Sequence, residues 1–362
     1  MATFFISTSY QDSSIVNYYK KLGRELNNNG HKVVMIYDGC VSVNEEFSDT
    51  LKEYSWPSRR PTKFKDFIFL YNLIKRHNPT YLLANFGSVN VMMLVGWLMR
   101  IKHRIAWYHT LSEQIAIDSN KSGMTQMITK YRKKIVYSLC TGILPVSIYA
   151  KNDCINYYGI SESKLHVLYN LLPVVNMNKT IEKEKNKLVC VGRLHKSKGQ
   201  EILIRAIAIL VNKFPDIKVV FLGDGGEKEA YIELAEELKV SKNCDFLGNK
   251  DREYVLDCMK KANICIVPSL VDNLPTVSLE AQSMGTPVIV SNTGGMPETM
   301  KNGVTGFAIE PGNPELLSDK IELILVNENI EKDFSENAKQ FFNERFSYKR
   351  MLSYVKYFED IK

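Results

Sequence analysis

The sequence predicts an α/β protein in which helices cover mostly parallel β-sheets, repeated in two halves of the chain. Three observations predict it. Short apolar runs without polar alternation, such as Ile264–Val267 and Val288–Val290, read as strands buried on both faces. These runs alternate with stretches of helical spacing, the pattern of β-α-β units. A chain of 362 residues is also long enough for two domains of roughly 170 residues each.

Composition narrows the class. With 45% hydrophobic residues, cores of ordinary size can form. The seven cysteines are odd in number and include no Cys-x-x-Cys pair, which fits free or buried thiols in a reducing compartment rather than a disulfide framework or zinc site. MATFFISTSY has no basic start and no long apolar run, so no signal peptide is expected. Leu82–Met99 carries Asn85, Ser88, Asn90 and two glycines, and reads as strand, loop and helix rather than a membrane span. Residues 1–175 carry a net charge of +9 and residues 176–362 a net of −2. An anionic partner is therefore expected for the first half alone. No nucleic-acid signature accompanies the charge, so no nucleic acid is expected.

In order, Thr3–Ser7 reads as the first strand and Lys32–Tyr37 as the second, joined by a helix over Ser14–Asn28 with Val16, Tyr19, Leu22 and Leu26 on one side. Asn29-Gly30 ends that helix. Arg59–Arg76 mixes basic residues with Phe64, Phe67, Phe69, Leu70 and Ile74, and Lys121–Leu139 adds Lys130, Arg132, Lys133 and Lys134. A basic, aromatic, amphipathic surface suits an anionic bilayer; helices with one solvated face are the alternative. Further strands are expected over Asn78–Ala84, Arg104–Tyr108, Ile143–Val146 and Leu165–Leu168, with a helix over Tyr149–Tyr158. His109 follows the fourth of the chain's strands, at the sheet end where such folds bind ligands. Asn176–Lys187 is polar and aperiodic and reads as the interdomain linker.

The second half opens with the strand Leu188–Val191, the loop Gly192–Gly199 and a helix with Leu203, Ala206, Ile207 and Leu210 on one face. Arg193 and Lys198 lie in that loop, flanked by glycines that admit a ligand. Lys218–Leu222 ends at Gly223-Asp224-Gly225-Gly226, which fails the dinucleotide fingerprint because Lys228 stands at the third glycine's place. Cys244–Leu247 leads to Gly248-Asn249-Lys250. After Ile264–Val267 and Pro268 come Asp272 and Asn273, both good capping residues, and Pro275, suited to a helix's first turn. The helix would run to about Met284 and stop at Gly285. Its start, at Leu274, Thr276 and Val277, offers backbone N–H groups and a positive dipole end to a phosphate. Glu280 shares the helix face with Thr276, so Asp272 and Glu280 bracket an anion-binding helix start. A strand over Thr305–Ile309, a helix over Pro314–Val326 and a last helix to Ile361 complete the chain, with Tyr348, Leu352, Val355 and Phe358 at helical spacing.

The segment Asp272 to Glu280, followed by Gly285-Thr286-Pro287-Val288-Ile289 and Gly294-Gly295-Met296-Pro297-Glu298, resembles the signature of glycosyltransferase family 4. The resemblance implies a retaining enzyme of GT-B architecture, with two Rossmann-like domains facing across a cleft and a C-terminal helix crossing back to the N-terminal domain. It implies an acceptor-binding domain over 1–173, joined by the helix 347–362, and a nucleotide-sugar-binding domain over 178–345. In the family, residues matching Arg193 and Lys198 bind the donor diphosphate, where preplaced cations stabilise charge growing on the leaving phosphate. By the same resemblance His109 contacts a hydroxyl of the donor sugar, Asp272 holds further sugar hydroxyls, and Glu280 accepts from the ribose. The usual first acid is a glutamate, and the shorter Asp272 bears on how the sugar is held. Asn273, Leu274, Thr276, Val277, Gly223, Gly248 and Asn249 are the remaining donor contacts implied. Gln11, Asp12 and Ser13 stand where the family often has a Gly-Gly pair and are acceptor-loop candidates. No Asp-x-Asp occurs, so no metal or other cofactor is expected beyond the nucleotide-diphosphate sugar as co-substrate. The expected acceptor is a glycan or lipid-linked saccharide of a bacterial surface polysaccharide, handled in the cytoplasm or on the inner face of its membrane. The alternatives are a nucleotide-sugar epimerase of the same architecture and a non-catalytic nucleotide-sugar-binding subunit.

Overall fold

The computed structural model describes residues 1–10, 13–38, 50–118, 123–174 and 182–361. Contacts divide the chain into one unit of 1–112, 120–172 and 349–362 and another of 113–119 and 173–348. Residues 113–119 thus depart from the expected domain limits by grouping with the second unit.

In the first unit, β1 (Thr3–Ser9), β2 (Lys32–Asp38), β3 (Leu51–Ser55), β4 (Tyr81–Ala84), β5 (His103–Tyr108) and β6 (Gly142–Pro145) form one parallel sheet in the order β3-β2-β1-β4-β5-β6. Phe5 pairs in register with Val34 and with Leu82, and all three are fully or almost fully buried. The helices along this stretch are α1 (Ser14–Asn28), α2 (Phe64–His77), α3 (Val89–Leu98), α4 (Ser112–Asp118), which groups with the second unit past Ser112, α5 (Gly123–Ser138) and α6 (Ile148–Tyr158). Val16, Tyr19, Leu22 and Leu26 of α1 are buried, as their spacing requires.

Three differences from the sequence reading have local causes. β3 is half-exposed along its whole length, so no apolar run announces it. The third expected strand begins at Tyr81 rather than Asn78, because Asn78 adopts a left-handed conformation (φ 44°) that caps α2. Leu165–Leu168 makes only a single bridge to Ile143 and backbone bonds from His166 and Leu168 to β6 carbonyls, short of a strand.

The second unit repeats the winding. β7 (Lys187–Val191), β8 (Lys218–Leu222), β9 (Cys244–Phe246), β10 (Ile264–Val267), β11 (Val288–Ser291) and β12 (Gly306–Ile309) are parallel in the order β12-β11-β10-β7-β8-β9. They carry α7 (Gln200–Leu210), α8 (Lys228–Glu237), α9 (Arg252–Lys261), α10 (Thr276–Ser283), α11 (Pro314–Leu325) and α12 (Glu328–Arg345). One core layer gathers Leu203, Ile207, Phe221 and Ile321, and the other gathers Met259, Cys265, Val288 and Met296. The sequence reading left α12 out; its buried residues are only Phe334, Ala338 and Phe342 among 18, a sparse signal.

The last helix, α13 (Met351–Asp360), returns to the first unit. Met351, Tyr354, Val355 and Phe358 face inward, whereas Leu352, expected on the packed side, is 54% exposed. Phe358 meets the rings of Phe4 and Trp107, its carbonyl accepts from the Tyr81 hydroxyl (2.9 Å), and Glu359 pairs with His31 (2.9 Å).

Candidate active site

In the second sheet the chain winds outward in opposite directions from β7 and β10, and loops leaving two such neighbouring strands open a crevice at the sheet's C-terminal edge. The loops after these strands touch there. The Leu270 N–H donates to the Ser197 carbonyl (2.9 Å), and a Cβ at Gly199 (φ +65°) would lie 2.1 Å from the Pro268 carbonyl oxygen. Only glycine permits both that conformation and that approach. The contact brings Lys198 and Asp272, 74 residues apart, into an ion pair at 2.6 Å, both side chains mostly buried.

Asp272 is held at both ends. Its Oδ1 accepts the Asn273 N–H (2.9 Å), and its carbonyl accepts the Gly295 N–H (3.0 Å). A Cβ at Gly294 (φ +59°) would fall 1.9 Å from that carbonyl oxygen, so glycine at 294 lets the Asp272 loop lie against it. Neither Asp272 nor Asn273 caps α10, contrary to expectation. Pro275 itself stands at the N-cap, outside the first turn, where its ring offers no side-chain cap to the helix start at Thr276 and Val277. Asn273 and Leu274 are buried in the loop.

Glu280 lies a turn further along α10, buried, and accepts from Arg252 Nη1 at 2.7 Å. Arg252, the first residue of α9, was not anticipated; nothing in its local sequence points to a residue 28 positions away. The Gly223 N–H donates to the Gly248 carbonyl (2.9 Å), and a Cβ at Gly223 (φ +133°) would lie 2.1 Å from the Gly192 carbonyl oxygen. The fold itself thus demands glycine at 223, by joining the loops after β7, β8 and β9. Asn249 is exposed beside them, and so is Arg193, whose carbonyl accepts from the Gln200 amide (3.0 Å).

His109 belongs to the first unit, one residue past β5. Asn85 donates its amide to the Ser7 carbonyl (3.0 Å), which turns Oδ1 toward the imidazole. His109 Nε2 lies 3.1 Å from that oxygen and 2.8 Å from the Tyr19 hydroxyl. An acceptor at that distance assigns the ring proton to Nε2 and leaves Nδ1 as the ring's acceptor. Phe86 stacks on the imidazole (centroids 4.8 Å apart) in a left-handed conformation (φ 48°). Burial pushes the His109 pKa down to about 3, so the ring is neutral at physiological pH. The turn after His109 is fixed by Asp153, which accepts from the Tyr108 hydroxyl and from the Ser112 N–H and hydroxyl (2.5, 2.8 and 2.5 Å). Tyr19, Asn85, Phe86 and Asp153 had not been singled out as functional. They are ordinary helix, loop and aromatic residues until the fold converges on His109.

Ser13 is the N-cap of α1, its hydroxyl accepting the Val16 N–H (3.3 Å); Gln11 and Asp12 lie outside the described residues. Among the described residues no group of three or more His, Cys, Asp or Glu side chains is arranged to hold a metal ion. Six cysteines are described, all free and buried, and burial pushes the thiols of Cys140, Cys190 and Cys244 up to about 12.

Two doubly wound parallel sheets, the second with a cationic loop and a paired acid at its switch point, define a protein of the GT-B class. The chain belongs to the glycosyltransferases: residues 15–174 match the model of Glycosyltransferase Family 4, and residues 176–341 match that of Glycosyl transferases group 1. It is 27% identical over 274 residues to a D-inositol 3-phosphate glycosyltransferase of Corynebacterium efficiens, covering 68% of this chain and 65% of that one. It is 26% identical over 239 residues to the capsular polysaccharide biosynthesis glycosyltransferase CapM of Staphylococcus aureus, covering 62% of this chain and 63% of that one. The chain thus spans under two thirds of the length of these relatives. Its fold matches that of Anabaena HepE, crystallised with UDP and glucose, with a TM-score of 0.79 at 15% identity and complete coverage of both chains.

Proposed function

We propose that this chain transfers a sugar from a nucleotide-diphosphate donor to a glycan or lipid-linked acceptor, with retention at the anomeric carbon. The observation that carries the reading is the Lys198–Asp272 pair beside the start of α10, with Glu280 one turn on. As the glycosidic bond breaks, negative charge develops on the leaving diphosphate. Lys198, Arg193 and the N–H groups at Thr276 and Val277 are cationic or dipolar groups suited to stabilise it. Asp272 is fixed through its Oδ1 and its backbone carbonyl, which makes its carboxylate a rigid acceptor for sugar hydroxyls. Glu280, oriented by Arg252, is an acceptor for ribose hydroxyls. His109, neutral and with Nδ1 as acceptor, suits a hydrogen bond from a sugar hydroxyl rather than proton abstraction. In this reading the diphosphate needs no divalent ion, and the front-face course of the family is the route to retention.

The test is calorimetric titration with UDP, GDP and ADP in chelator, on the wild type, Arg193→Ala and His109→Ala. UDP is the first candidate because HepE was crystallised with it. Micromolar binding to one nucleotide is expected, weakened at least tenfold by Arg193→Ala and kept by His109→Ala, which instead loses turnover. A strict requirement for metal would overturn the charge assignment. Absence of binding to all three would favour a non-catalytic subunit.

A membrane-facing role of the first unit belongs to the same reading. No described helix is long and apolar enough to cross a membrane. α5, however, buries only Tyr137 and exposes Met124, Met127, Ile128, Tyr131 and Ile135. It carries Lys130, Arg132, Lys133 and Lys134 and no acidic residue. Beside it α3 exposes Trp97 and Leu98, and next to that α2 exposes Ile68 and Tyr71. Apolar residues pointing outward among cations match an anionic bilayer surface. The protein should sediment with phosphatidylglycerol vesicles at low salt, and Ile128→Glu/Ile135→Glu should abolish this. Equal sedimentation of the variant would rule the face out.

A further inference from the structure

Arg252 has surroundings that give it a more particular role than that of a countercharge. The segment between β9 and α9 is pinned at both ends. At one end the Gly248 carbonyl accepts the Gly223 N–H (2.9 Å), and at the other Asp251 caps α9, its Oδ1 accepting the Tyr254 N–H (2.8 Å). Arg252 follows that cap directly, so its backbone stands on the fixed end of the loop that carries Gly248 and Asn249. From there its side chain reaches α10, 28 positions further along the chain, and donates to Glu280 Oε1 at 2.7 Å. The Arg252 side chain is 32% exposed and that of Glu280 only 9%. Tyr348, the last residue of the second unit, lies near the same guanidinium: burial pushes its hydroxyl up to about 12, and the Arg252 charge opposes that rise. Glu280 is the one acid of α10. Burying a carboxylate is costly unless a countercharge and hydrogen bonds accompany it, and a guanidinium supplies both in a fixed plane. An ionised carboxylate held in this way is an acceptor only, which suits a pair of neighbouring hydroxyls.

We propose that Arg252 is a positioning residue for ribose recognition: by holding the Glu280 carboxylate from the fixed end of the loop after β9, it makes the site select a ribonucleotide over one that lacks the 2′- and 3′-hydroxyls. The proposal rests on the glycosyl-transfer reading, in which Glu280 accepts from the ribose, and adds the residue that makes this contact selective. Arg252 acts through Glu280 and not on the nucleotide. Its loss should therefore remove the discrimination between the two sugars and leave the rest of the nucleotide's binding intact. A hydrogen bond to a charged acceptor corresponds to roughly ten- to a hundredfold in affinity, so the effect is large enough to read.

The test is a calorimetric comparison, on the full chain, of whichever of UDP, GDP and ADP binds best with its 2′,3′-dideoxy form. The proteins are the wild type, Arg252→Met and Glu280→Gln. The wild type should bind the ribonucleotide about tenfold or more tightly than the dideoxy form. Both variants should bind the two forms alike, to within about threefold, because the ribonucleotide weakens while the dideoxy form does not. The unchanged dideoxy affinity also reports that the donor site is folded. Should Arg252→Met not fold, Arg252→Lys carries the same test: it keeps a charge beside Glu280 without the planar fork, and the preference for ribose should still fall. A preference that survives in Arg252→Met, or an equal weakening of both forms, overturns the proposal and leaves the glycosyl-transfer reading standing. A wild type that binds neither form, or binds both equally, defeats the ribose assignment of Glu280 and the proposal with it.

Discussion

Lys198→Ala should lower kcat by roughly 10²–10³-fold, about 3–4 kcal/mol of transition-state stabilisation. The side chain is mostly buried and fixed at 2.6 Å from Asp272, so its charge is oriented before any substrate arrives. Removing it takes away a cation where negative charge is proposed to grow and leaves the Asp272 carboxylate there uncompensated. Both effects oppose departure of the nucleotide. Because the pair acts as a unit, Lys198→Ala/Asp272→Ala should be no slower than the product of the single effects, and a double-mutant cycle in kcat measures the coupling. Steady-state kinetics decides the matter: a kcat within threefold of the wild type would remove Lys198 from the mechanism. Unchanged thermal stability in the variant would separate this loss from misfolding.

Phe358→Ala should destabilise the first unit by about 3–5 kcal/mol, the usual cost of deleting a large buried ring. Phe358 is fully buried, faces Phe4 and Trp107, and lies in the segment whose backbone carbonyl accepts from Tyr81. For a unit of this size the unfolding transition should fall by roughly 6–20 °C, measurable by scanning calorimetry. The residues proposed for the donor nucleotide all lie within the second unit, so nucleotide affinity should hold at temperatures below the lowered transition. A variant that loses nucleotide binding while both transitions stay in place would contradict this division of labour. Leu352→Ala is the internal control; the side chain is exposed and its removal should shift the transition little.

Much of this was legible in the sequence because its signals are local. Buried parallel strands are continuous apolar runs, so β7, β8, β10 and β11 declared themselves within a residue or two. The spacing of Asp272, Glu280 and the glycines lies within a single β-α-β unit, where chain geometry alone relates the positions. The edge strand β3 escaped because a strand half open to solvent has no reason to be apolar. α12 escaped because three buried residues in 18 suffice to seat it.

By itself the sequence determined the α/β class, the repeat of the winding and the position of the helix start proposed to bind an anion. Only the tertiary structure decided which residues meet. The Lys198–Asp272 pair, the Arg252–Glu280 pair and the Asn85 contact that assigns His109's tautomer each join residues from separate β-α units. Such contacts depend on strand order. A sheet that winds outward from β7 and β10 sets their loops side by side, and no periodicity along the chain encodes that neighbour relation.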